Sequence, residues 1–223
     1  MAMFEHGASG AGGLDGGSVS AAVAGGHGAI GAAGHAGELD PAVERQRVLL
    51  GVRLFILSEV MLFGSFFAAY FVLRAEAPAW PPVAGLARPE LPLVGFNTLL
   101  LISSSFTMQW AVTRIGRGDV ARFRRGLLAT LVLGAVFLGI QAWEFAHNGF
   151  GIADGVFGST FYALTGFHGA HVLGGLLLMA VVANRARLGL VSREHHTAVE
   201  GVSLYWHFVD VVWVTLFLTV YVL

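Results

Sequence analysis

Five stretches, at residues 48–73, 91–113, 126–147, 155–183 and 199–223, each run for more than twenty residues with at most two Arg, Asp or Glu. At 1.5 Å of helical rise per residue, about 20 residues cross the ~30 Å hydrocarbon layer of a bilayer. A backbone in lipid must satisfy its own hydrogen bonds, which leaves the α-helix as the form such runs can take. The pattern therefore predicts an all-α fold: a polytopic membrane bundle of five transmembrane helices over residues 41–223. Composition agrees, since 12% of the residues are charged, about half the share usual in soluble domains. Proline and charged residues punctuate the gaps, notably Pro78 to Pro92 and Arg114 to Arg125. The fourth run is long enough to tilt, or to begin with an interfacial turn.

The arginines give a direction. All thirteen basic residues are Arg. Arg45 and Arg47 precede the first run, Arg114, Arg117, Arg122, Arg124 and Arg125 follow the second, and Arg185, Arg187 and Arg193 follow the fourth. Arg74 and Arg88 alone fall on the opposite side, and Arg53 lies inside the first run. The positive-inside rule then predicts a cytoplasmic N-terminus and a periplasmic C-terminus. The Arg-rich segment from Arg114 to Arg125 is expected to meet anionic lipid headgroups or to serve as an orientation signal alone. Trp80, followed by Pro81 and Pro82, fits an aromatic anchor at the outer interface.

Residues 1–40 differ in kind. Twelve of the 31 glycines fall there with Ala and Ser, without apolar periodicity, and read as a flexible tail. No Arg precedes Arg45 and no apolar run occurs, so the segment does not resemble a secretory signal. Its His6, His27 and His35 read as solvated side chains rather than ligands. The chain has no Cys, which excludes thiolate metal sites, disulfides and cysteine nucleophiles. A net charge of -1 without a basic patch offers nothing to nucleic acid.

Small residues recur every fourth position at Gly64 and Ala68, at Ala135 and Gly139, and at Gly166, Ala170 and Gly174. These stripes are expected to serve ordinary helix packing.

Ionisable groups at membrane depth cost a few kcal/mol or more and need partners or a function. Glu59 lies near the middle of the first run, His168 and His171 midway along the fourth, and His207 and Asp210 at similar depth in the fifth. Three-residue spacing puts each pair on one helix face. The simplest reading is an internal polar cluster in which these groups bind neighbouring helices. Glu144, nearer the end of the third run, is expected to be a partly solvated rim residue. Three other uses compete. His168, His171, His207 and Asp210 make a conceivable metal ligand set, although the chain lacks a second Glu-x-x-His motif. Haem ligation between the fourth and fifth runs is another, with nothing to mark the axial histidine. Proton relay through Glu59 is the third, and a single mid-membrane carboxyl does not make a through-membrane path.

Several motifs, correctly ordered through residues 48–223, resemble subunit III of the haem–copper terminal oxidases, cytochrome c oxidase especially. They are Ile56-Leu57-Ser58-Glu59-Val60, Trp80-Pro81-Pro82, Asn97-Thr98 and Gln141-Ala142-Trp143-Glu144. Asp154-Gly155-Val156-Phe157-Gly158-Ser159-Thr160-Phe161 and Gly166-Phe167-His168-Gly169-Ala170-His171-Val172 follow. His195-His196 and Tyr205-Trp206-His207-Phe208-Val209-Asp210-Val211-Val212-Trp213 close the series.

The resemblance implies an accessory subunit without a redox centre, in a complex that reduces O₂ and translocates protons across a bacterial cytoplasmic membrane. Haem and copper would sit in partner subunits I and II. This chain would stabilise subunit I, hold structural phospholipids and support proton uptake, within a supercomplex in some settings. Longer members have seven helices; the five-helix form also occurs in quinol oxidases, so the donor is cytochrome c or a quinol. The wording at Ile56–Val60 and Gln141–Phe145 is nearer the cytochrome c branch. Glu59 matches the glutamate that family members present to hydrophobic carbodiimides. His207 and Asp210 match no redox ligand of the family, which leaves internal pairing as their role.

Overall fold

The computed structural model describes residues 40–80 and 91–223, which form one unit, Asp40–Leu223. The Gly-rich segment with His6, His27 and His35, together with Pro81, Pro82 and Arg88, lies outside the described residues. Five α-helices follow in order: α1 Pro41–Glu76, α2 Leu91–Gly116, α3 Val120–His147, α4 Gly155–Arg187 and α5 Thr197–Leu216. A π-helical turn, Phe217–Val222, continues α5. The described residues contain no strand, and all five helices are long and apolar enough to cross a membrane. The expected all-α, multi-pass architecture is present.

Helix ends follow from local chemistry. Asp40 caps α1 by accepting from the Ala42 N–H at 2.9 Å, with Pro41 in the first turn where a missing N–H costs nothing. Ala77 turns extended at the other end because Pro78 follows. α2 ends where Gly118 takes φ +80, which lets its N–H reach the Ile115 carbonyl and the Asp119 N–H reach that of Arg114. Asp119 then caps α3 through the Arg122 N–H at 3.0 Å. Arg114 to Arg125 is thus a helix end, a three-residue turn and a helix start, not the gap expected from charge. Arg is a good helix former, and its long stem lets the helix run on while the guanidinium stays wet.

α5 is the core of the bundle, packed against α1, α2 and α4. In its most apolar stretch 61% of residues are buried, against 11% for α1. Trp206 and Trp213 are fully buried. Each indole N–H donates to a hydroxyl of α2: Trp206 to Ser104 Oγ and Trp213 to Thr98 Oγ1, both at 3.0 Å. The Trp206 ring fits between α3 and α4 because Gly134 and Gly175 lack side chains. A Cβ there would come within 2.7 and 2.8 Å of the indole. Among the described residues three of the stripe glycines meet nothing: Gly64, Gly139 and Gly166 face open space, whereas Gly174 approaches the Tyr205 hydroxyl at 3.5 Å. Four-residue spacing identifies a helix face, not what that face meets.

Trp80 also turns inward: its indole N–H donates to the Tyr70 hydroxyl at 3.2 Å and its ring meets Phe157 edge-on.

Candidate functional site: polar contacts between the helices

Glu59 of α1 and His171 of α4 meet at 2.9 Å between Oε2 and Nε2, each side chain about 15% exposed. The other ring nitrogen of His171, Nδ1, lies 2.7 Å from the Phe167 carbonyl one turn back. A carbonyl only accepts, so Nδ1 carries a proton. Nε2 then either accepts from a protonated Glu59 or, in the imidazolium, donates to the carboxylate. In both forms the pair shares one proton and has no net charge. The Phe63 ring lies 5.0 Å from the imidazole, and the Tyr205 hydroxyl of α5 donates to the His171 carbonyl at 3.1 Å. Three helices meet at this histidine.

A second contact joins α5 to α2. Ser105 Oγ donates its one proton to Asp210 Oδ2, and lies 2.9 Å from His207 Nδ1. The hydroxyl proton being committed to the carboxylate, His207 Nδ1–H donates to the Ser105 hydroxyl oxygen. The far ring nitrogen faces the Gln109 side-chain amide at 3.3 Å. Asp210 is 6% exposed and its Oδ1 has no partner among the described residues. Ser105 and Gln109 were not singled out from sequence. The signal available was the polar run Ser103-Ser104-Ser105 with Gln109 one turn on.

His168 separates from His171. It is fully buried, with its ring 4.9 Å from Trp213 and 5.9 Å from Phe137, and neither ring nitrogen has a partner among the described residues. Three residues turn a helix by 300°, so the two side chains diverge by about 60°. Here that sends one into the core and the other to α1. A single cluster of all five depth residues does not form; there are two contacts and one isolated ring.

Glu144 is not a rim residue. It is 5% exposed, and the Tyr221 hydroxyl donates to its Oε1 at 3.2 Å. The π-helical turn after α5 brings Tyr221 over the carboxyl, which position along α3 alone does not reveal. Among the arginines, Arg114 lies over the Trp110 ring at 5.2 Å, Arg122 pairs with Asp119 at 3.3 Å, and Arg117, Arg124 and Arg125 are exposed. At the same end of the bundle Arg45 grips Glu200 of α5 with two nitrogens at 2.8 and 3.0 Å, and His196 meets that carboxylate at 3.2 Å.

Among the described residues no three His, Asp or Glu side chains converge as a metal ligand set. What the arrangement does chemically is satisfy hydrogen bonds between helices and hold shared protons within them.

The family model for cytochrome c oxidase subunit III matches residues 26–223. The cytochrome c oxidase subunit 3 of Thermostichus vulcanus is 42% identical over 176 residues, 78% of this chain and 87% of the relative. That of Synechocystis sp. is 45% identical over 176 residues, covering 78% and 75%. A probable cytochrome c oxidase subunit 3 of Nocardia farcinica is 41% identical over 178 residues, covering 78% and 87%. A family model over most of the chain, and relatives above 40% identity over most of their own lengths, lead to one conclusion: the chain belongs to the cytochrome c oxidase subunit III family.

Proposed function

We propose that this chain works as a helical brace on the redox-bearing subunits of an O₂-reducing, proton-translocating oxidase that takes electrons from cytochrome c. Haem and copper belong, in this reading, to partner subunits I and II. The observation that supports it best is the use made of the polar side chains in the family-like motifs. Glu59, His171, Asp210, Trp206 and Trp213 each bond to another helix. Groups engaged in this way hold a scaffold together.

The weight of arginine at one end argues for a cytoplasmic N-terminus in a bacterial cytoplasmic membrane. The exposed apolar faces of α1, α3 and α4 offer area for subunits I and II and for structural phospholipids. Exposed Leu54, Leu57, Met61, Val136, Leu177 and Val181 are examples. Glu59, edged by lipid-facing residues, is the carboxyl expected to react with a hydrophobic carbodiimide.

The test is purification of the native complex through a tag on this chain. Co-purification of a haem-bearing large subunit, with oxygen uptake driven by reduced cytochrome c, is the expected result. A tagged chain that emerges as a haem-free homo-oligomer would overturn the reading, and uptake driven only by quinol would reassign the donor.

A further inference from the structure

We infer that the groove between the start of α3 and the end of α4 is a binding site for one anionic phospholipid. A cavity of about 340 Å³ opens there, lined by Ala121, Arg124, Arg125, Leu128, Ala183 and Arg187, with Leu127 and Leu131 below. That volume lies in the range of small-ligand sites, about 300–1,000 Å³.

The order of residues along the groove matches a phospholipid from headgroup to chain. On α3, Arg124 and Arg125 come first; Leu128 and Leu131 lie one and two turns deeper, about 10 Å along the axis at 1.5 Å per residue. α4 runs the other way, with Arg187 at its end and Ala183 one turn deeper. Both helices therefore place guanidinium groups at the same level and apolar surface beneath. Ala121 and Ala183 leave space in the groove that larger side chains would fill.

Charge selects the occupant. Among the described residues no carboxylate lines the cavity, and Arg124, Arg125 and Arg187 form no ion pair. Arg122 and Arg45, by contrast, have Asp119 and Glu200. Three guanidinium groups facing one groove repel each other until a phosphate joins them, and Arg is the side chain best shaped to hold phosphate through paired N–H groups. A zwitterionic lipid would add a cation to this site; an anionic one adds none.

The site rests on the reading of this chain as a membrane subunit, and it does not depend on which side of the membrane the groove faces. Its test uses the intact complex. Native mass spectrometry would count lipids retained by the wild type, by R124Q/R125Q/R187Q and by R193Q, an exposed arginine outside the groove. Loss of one anionic lipid from the triple variant, with R193Q unchanged, is expected. The delipidated complex would then be titrated with dioleoylphosphatidylglycerol, dioleoylphosphatidylcholine and inorganic phosphate. The anionic lipid should bind at least tenfold more tightly than the zwitterionic one, that preference should vanish in the triple variant, and millimolar phosphate should not compete.

Because removing three charges can impair assembly, A183L and L128W, which fill the groove with its charges intact, provide a second arm with the same expected loss. An unchanged lipid count in both arms, equal affinity for the two lipids, or displacement by free phosphate would overturn the site. So would crosslinking of this groove to another subunit in the wild type. Failure of the tagged chain to bring down haem subunits would instead count against the assembly reading, so the two failures are distinguishable.

Discussion

Glu59 and His171 stand 112 residues apart in sequence and 2.9 Å apart in the bundle. With His171 Nδ1–H held by the Phe167 carbonyl, Nε2 can face Glu59 only by sharing a proton with it. This contact matters for α1 in particular, the least embedded of the five helices. It adds a second point of attachment, further along α1, to the Arg45–Glu200 ion pair at the helix start.

Glu59→Gln should leave α1 docked, because the glutamine amide N–H donates to Nε2 as a protonated carboxyl would. Glu59→Leu should loosen it, since a stranded buried nitrogen costs about 1–3 kcal/mol. Hydrogen exchange along α1 in the purified complex checks this: slow in wild type and Gln, faster in Leu.

Ser105→Ala should weaken the α2–α5 contact more than His207→Leu. The alanine removes the one partner that Asp210 has among the described residues, whereas the leucine leaves the Ser105–Asp210 bond intact. About 1–3 kcal/mol is expected for the alanine and less for the leucine. Thermal retention of this subunit by the complex would show the ranking; equal losses would contradict it.

Tyr221→Phe should destabilise by a similar amount, about 1–3 kcal/mol, because it removes the donor to a buried Glu144. Glu144→Gln, which keeps an acceptor for that hydroxyl, should cost less. If Glu144 were hydrated at a rim, the tyrosine hydroxyl would be dispensable and the Phe variant would melt like wild type.

Gly175→Ala should cost about 1–3 kcal/mol by forcing a methyl against the Trp206 indole, and a smaller side chain at 206 should restore part of it. Gly139→Ala meets nothing within 4 Å and should be neutral, or stabilising by about 0.5–1 kcal/mol through helix propensity. Melting temperatures in one detergent would separate the two positions.

The helices were legible because a bilayer sets their minimum length, and runs such as 91–113 contain nothing else that could satisfy a backbone in lipid. Their ends were less so. Arg122, Arg124 and Arg125 argue against hydrocarbon without arguing against helix, and only the Asp119 cap marks where α3 begins. That Glu59, His171 and Asp210 need partners was readable; which partners was not. Ser105 is one of several hydroxyls in apolar helices, and most of the others, such as Ser58, Ser65 and Ser103, bond to their own backbone a turn back. Nothing local distinguishes the serine that reaches across. His168 and His171 show the same limit, since a shared face is wide enough to hold two neighbourhoods.

The most direct measurement is a double-mutant cycle on Glu59→Leu and His171→Leu, read as the free energy of retaining this subunit in the complex while haem absorbance is recorded. Membrane hydrogen bonds measured this way average about 0.6 kcal/mol and reach about 1.7. A coupling in that range, with haem spectra the same in all four proteins, is the predicted outcome. Additive losses, or a haem band that shifts while the subunit stays bound, would contradict the account.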